Sequence, residues 1–152
     1  MASLAGDDID VLAKAKRSLD SDYTPSDDEE YMCTRQQDYF RVLLLEWKKT
    51  IVSASEGTLQ SLQDGPIREP DLNDRASSET DWGIELRTRD RQRKLTAKID
   101  SAIRRIDKGE YGYCEVTGDP IGLKRLIARP IATMTVEAQE AHERREKVSR
   151  DD

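Results

Sequence analysis

Apolar positions recur at helical spacing in four stretches of the chain, and a turn-rich interval near the C-terminus interrupts them. Ile9, Leu12, Ala13, Lys16 and Leu19 trace a short first helix, which the acidic stretch with Tyr23, Thr24 and Pro25 ends. Ser26 stands three residues before Glu29, the spacing of a capping box, and Asp27 and Asp28 favour a helix N-terminus. A second helix is therefore predicted from Ser26 to about Leu62, with Phe40, Leu43, Trp47, Ile51 and Ala54 as its apolar face. No proline interrupts it, and Gly57 is its first glycine. The break comes at Asp64-Gly65-Pro66, with Pro70 close behind. Helical spacing resumes through Ile84, Thr88, Arg91, Leu95, Ile99, Ala102 and Ile106 and stops at Gly109. Two helices of about 30 to 38 residues across a short turn make an antiparallel hairpin with arms of about 45 Å.

The pattern changes after Gly109. Tyr111-Gly-Tyr-Cys114, Thr117-Gly-Asp-Pro120, Ile121-Gly-Leu123 and Ala128-Arg-Pro-Ile131 read as turns and short strands. Thr135 is placed to cap a last helix through Glu137, Ala141, Arg145 and Val148. Tyr111, Tyr113, Val116, Leu123, Leu126, Ile131, Met134 and Val136 are available to close this small module by apolar packing. The expected fold is mainly α: a long antiparallel coiled-coil hairpin on a small globular base. A short N-terminal helix and a degenerate zinc-finger-like module with a terminal helix form that base. The divisions fall at 1–32 for the N-terminal helical segment, 33–109 for the coiled coil, with its tip near 64–76, and 110–152 for the module and last helix.

Composition narrows the function. Lys and Arg number 25 against 31 Asp and Glu, a formal net charge of −6, so binding of nucleic acid through bulk phosphate neutralisation is disfavoured. A protein partner is favoured instead, and the charge is uneven enough to orient docking. Asp20–Glu30 holds six acids and no base, whereas Arg87–Lys108 holds nine bases and three acids. Cys33 and Cys114 are the only cysteines, which makes no disulfide framework and fits a reducing compartment. The first residues lack the basic and apolar regions of a signal peptide, and no apolar run approaches a membrane span. A soluble, cytoplasmic protein is expected. His142 lies among Glu and Arg, no glycine-rich phosphate loop is present, and no catalytic constellation is found, so no enzymatic activity is expected.

Cys114-Glu-Val-Thr117 and Thr135-Val-Glu-Ala138 repeat the spacing of two C-x-x-C pairs about 17 residues apart, the layout of a four-cysteine zinc site. Only Cys114 of the four positions is a cysteine. Thr117, Thr135 and Ala138 stand at the others, so zinc and other metals are not expected and no cofactor is called for.

Tyr111-Gly-Tyr-Cys-Glu, Ile121-Gly-Leu-Lys-Arg-Leu126 and Ala128-Arg-Pro130 resemble the finger region of the DksA/TraR family. Glu85-Leu-Arg-Thr-Arg-Asp-Arg-Gln-Arg-Lys-Leu95 is similar to that family's second coiled-coil helix, and the likeness runs from about Met32 to Lys147. The resemblance implies a transcription regulator that binds bacterial RNA polymerase, inserts its coiled coil into the secondary channel and destabilises open promoter complexes. With guanosine tetraphosphate (ppGpp) as co-regulator at the polymerase interface, such proteins act on ribosomal RNA and amino-acid promoters in the stringent response. No direct sequence-specific contact with nucleic acid and no membrane are implied, and a monomer is expected.

Asp71 and Asp74 read from position alone as helix-start residues. With Ala76 they match the family's acidic tip, Asp-x-x-Asp-x-Ala, which implies a role near the polymerase active centre. Arg91 and Arg125 match arginines that contact polymerase. Lys98 and Arg129 match residues that bind the alarmone phosphates, a chemistry that suits cationic side chains. Leu95 packs nearby, and Gln139 stands where a third family lysine is expected. Two rival readings remain: a Gre-type transcript cleavage factor, which also carries acids on a coiled-coil tip, and a coiled-coil scaffold without an enzyme partner.

Overall fold

The computed structural model describes the backbone of residues 4–64 and 72–151, and the side chains of residues 4–57 and 79–149. Helix α1 spans Gly6–Arg17, α2 Thr34–Asp64, α3 Leu72–Lys108, α4 Leu123–Ala128 and α5 Val136–Asp151. Helices α2 and α3 pair antiparallel from Arg41 opposite Asp107 to Ser55 opposite Gln92. Arg41 bonds Asp107, Lys48 bonds Asp100 and Ser55 bonds Gln92. Each step of seven residues up α2 is thus met by seven or eight down α3, the register of an antiparallel heptad pair.

The main core lies at the base of this hairpin. Phe40 and Leu44 from α2 and Ile99 from α3 are fully buried, and Ile51, Ala102 and Ile106 nearly so. Tyr111, Ile121, Leu123, Leu126, Ala132 and Ala138 join the same cluster, so finger and hairpin share one interior. Farther along the shaft no described side chain is buried, and Ile84, which opens the helical spacing of this arm, is exposed together with Leu86. A second face of α2 is also used. Leu45 packs with Leu4 and Leu12 beneath α1, where Lys48 reaches both Asp8 and Asp100 at 2.7 Å.

Helix α2 starts eight residues later than expected. One capping-box bond exists, the Ser26 N–H donating to Glu29 Oε1 at 3.1 Å, while Ser26 Oγ accepts from the Asp28 N–H and the Glu29 N–H donates to the Ser26 carbonyl. They close a turn rather than open a helix, because Met32 sits at φ 56° and breaks the run. Buried Gln36 holds that turn from within the helix, accepting from the Met32 N–H and donating to the Ser26 carbonyl. In the finger the expected strands reduce to one isolated bridge, Tyr113 with Pro120, and the segment after Gly122 forms α4 instead. Val116 and Val136 are exposed and take no part in the packing assigned to them, whereas Tyr111, Leu123 and Leu126 are buried. Thr135 caps α5 as expected, its Oγ1 accepting from the Ala138 N–H at 3.2 Å.

Candidate functional site

A cleft of about 260 Å³ opens where α3 meets the finger. One wall is a single face of α3: Lys98, Ser101, Ala102 and Arg105, spaced i, i+3, i+4 and i+7. The facing wall carries Arg125 from α4, Arg129 just beyond it, the segment 131–134, and Gln139 from α5. Buried Tyr111 lies between them. Its hydroxyl donates to the Pro130 carbonyl at 2.7 Å, and burial pushes its ionisation well above the ordinary phenol value. Lys98, Arg105, Arg125 and Arg129 all line the cleft and no acidic residue does, so the cavity presents a concentrated positive field. Arg125 spends its Nε on the Met134 carbonyl at 3.0 Å, which fixes the loop beside Arg129. Gln139 donates to the Glu143 carboxylate at the rim.

Four residues singled out in the sequence, Lys98, Arg125, Arg129 and Gln139, therefore meet in one place. Leu95 lies one turn along α3, partly buried against the main core and outside the cleft lining. Arg91 is exposed a further turn away. Asp71, Asp74 and Ala76 fall outside the residues whose side chains are described. Arg105 was missed by sequence reasoning. Its spacing of seven from Lys98 was legible, but it stood unmarked among nine bases.

The four zinc-type positions are partly brought together. The Cys114 thiol is buried, an effect that by itself raises its ionisation. Thr117 and the backbone amides of Thr135, Thr117 and Val116 bond the sulfur and more than offset this, lowering it from 9.0 to about 6. Ala138 is buried in the core. Among the described residues no group of three or more His, Cys, Asp and Glu is placed to hold a metal ion.

A helical hairpin seated on a finger-bearing base, with a cationic cleft at the junction, defines a class of coiled-coil protein with a zinc-finger-type module. The DnaK suppressor protein DksA N-terminal domain matches residues 36–106, and the prokaryotic dksA/traR C4-type zinc finger matches residues 109–144. The chain is 62% identical over 132 residues to the RNA polymerase-binding transcription factor DksA of Caulobacter vibrioides, covering 87% of this chain and 93% of that one. It is 38% identical over 125 residues to the factor of the same name from Escherichia coli strain K12, covering 82% and 83%. The structure of transcription factor DksA2 from Pseudomonas aeruginosa superimposes with a TM-score of 0.71 at 40% identity, over 91% of this chain and 97% of that one. The chain belongs to the DksA family.

The finger match corrects one expectation. Residues 109–144 fall in a C4-type zinc-finger family, so metal binding belongs to the family of this module and the expectation that zinc has no part does not stand. The residues present are a different matter. One thiol, two hydroxyls and a methyl group do not make the donor set of a four-cysteine site. Among the described residues no helix is long and apolar enough to cross a membrane.

Proposed function

We propose that this chain is a non-enzymatic, cytoplasmic transcription regulator that binds RNA polymerase directly. Its coiled coil enters the secondary channel and destabilises open promoter complexes, acting on ribosomal RNA and amino-acid promoters together with guanosine tetraphosphate. Family membership supports the partner: relatives over most of the chain are named RNA polymerase-binding transcription factors. The observation that carries the alarmone is the cleft, which Lys98, Arg125 and Arg129 line together. Pyrophosphate groups take charge-assisted and bidentate bonds from such side chains. In the free protein these exposed cations compete with water and salt, so the pocket is completed by polymerase, which excludes both. In this reading Asp71, Asp74 and Ala76 act near the polymerase active centre, and Arg91 contacts the channel rim.

The test is transcription from a ribosomal RNA promoter with purified polymerase whose own alarmone site is disabled. The double substitution Lys98→Ala with Arg129→Ala should remove the enhancement of inhibition by guanosine tetraphosphate. Full enhancement in the double variant would sink the alarmone assignment. Failure to compete with another secondary-channel factor would sink the partner.

A further inference from the structure

The walls of the cleft come from different parts of the chain, and Arg105 grips both. Its carbonyl accepts from the Glu110 N–H at 2.8 Å and the Tyr111 N–H at 3.1 Å, while the Gly109 N–H donates to the Ile106 carbonyl. With Gly109 at φ 76°, this is a Schellman cap that turns the chain out of α3 into the finger. The Arg105 side chain then reaches past the cap. It donates to the Tyr113 carbonyl at 2.9 Å and the Glu110 carbonyl at 3.3 Å, and it faces the Glu115 carboxylate at 3.5 Å. Glu115 is bound in turn to the opposite wall. Its N–H donates to the Thr133 carbonyl at 2.8 Å, and its carboxylate accepts from the Thr133 hydroxyl at 3.3 Å. Thr133 lines the cleft. A continuous route, Arg105 to Glu115 to Thr133, therefore runs from one wall to the other.

We infer, resting on the alarmone reading above, that Arg105 is the positioning residue of this cleft. It sets the spacing between the α3 wall carrying Lys98 and the finger wall carrying Arg125 and Arg129. Much of its guanidinium is already committed to two carbonyls and a carboxylate, and only 18% of the side chain is exposed, so what it supplies is geometry more than charge. A planar fork of five donors can hold three acceptors at once, whereas an ammonium on a flexible stem does not fix them in one plane. Without the grip, a polyanion must first bring the walls together, and it binds more weakly by the fraction of molecules in which they already are.

The test titrates guanosine tetraphosphate against the full-length wild type, Arg105→Lys and Arg105→Gln in the transcription assay. Both variants should need about tenfold more alarmone for half effect, while the effect at saturation is kept, because bound ligand restores the spacing. A Lys variant with the wild-type half-effective concentration would make charge the operative property and overturn the inference. Loss of the saturating effect would make Arg105 a strut of the fold and overturn it as well. A wild-type chain that ignores the alarmone removes the functional reading, and the role of Arg105 with it, before any variant is compared.

Discussion

The Tyr31 hydroxyl donates a 2.6 Å hydrogen bond to the Gly112 carbonyl, across 81 residues of sequence. The same oxygen accepts from the Gly122 N–H at 3.0 Å, so one phenol from the N-terminal segment ties two turns of the finger. The Tyr31 ring also meets Tyr113 edge-on at 5.6 Å. Tyr31→Phe keeps the ring but leaves the Gly122 N–H without its acceptor, while the Gly112 carbonyl keeps the Ile121 N–H at 2.8 Å. It should lower stability by about 1–3 kcal/mol, read from urea denaturation, and an unchanged midpoint would show that water replaces the phenol.

Gly112 itself tolerates no side chain. It sits at φ 91°, and an added Cβ would come within 2.9 Å of the Met32 Cγ and Sδ. Gly112→Ala is expected to destabilise by more than about 1 kcal/mol through strain and contact together. The loss should shrink in a Met32→Ala background, since only the contact is relieved there.

Lys48 joins three helices. Burial alone pulls its pKa down, but hydrogen bonds to Asp100 and Asp8 more than offset this and leave it above the ordinary 10.5. Because the folded value is raised, the stabilisation is fully present at neutral pH and fades only as the pH climbs through that raised value. Lys48→Ala should cost about 1–2 kcal/mol, intermediate between exposed and buried pairs, and part of that cost should vanish in 1 M salt. Hydrogen exchange across α1 gives a local readout. Protection that matches wild type would mean that Leu4, Leu12 and Leu45 hold α1 unaided.

Cys114 has the opposite sign. Its folded pKa of about 6 lies below the ordinary 9.0, so its thiolate adds stability above 9, progressively lost as the pH falls toward 6. Metal-free wild type should therefore gain stability from pH 6 to pH 9, and Cys114→Ser should flatten that rise. Thiolate absorbance supplies the direct check. A midpoint near 9 would show that the surrounding N–H donors do not favour the charged sulfur.

Binding and action should separate along the hairpin. Asp74→Asn is expected to leave polymerase affinity within a few-fold and to abolish the effect on open-complex lifetime, since it removes charge and keeps size. Arg91→Ala should weaken binding by about 1–3 kcal/mol, a loss that more protein overcomes. Identical behaviour of the two variants in affinity and lifetime measurements would contradict this division.

Much of this architecture was legible because it is periodic. Ile99, Ala102 and Ile106 recur at helical spacing, and the Gly109 stop coincides with the end of α3. What escaped was set by contacts distant in sequence. Ser26 and Glu29 make their local bonds, yet whether a helix follows is decided by Met32 and by Gln36. Leu45 gave no signal of its own, because a helix that buries two faces blurs its apolar stripe. In the cleft, Lys98, Arg125 and Arg129 were found through resemblance. Arg105 needed coordinates, since only the finger's turn reveals which arginine of a basic helix points into it.

Burial ends abruptly along the hairpin. The fully packed layers stop at Ile51 and Ile99, and the described shaft beyond them has no buried side chain. Mechanically the packed layers are a clamp, because local opening costs most where many apolar contacts must break. The cleft wall begins at Lys98, right at that boundary, and runs into the packed layers through Ala102 and Arg105. Three of the four α3 residues in that wall, Ser101, Ala102 and Arg105, stand among the packed layers, so the core at the root of the hairpin, and not the shaft, holds the site in place.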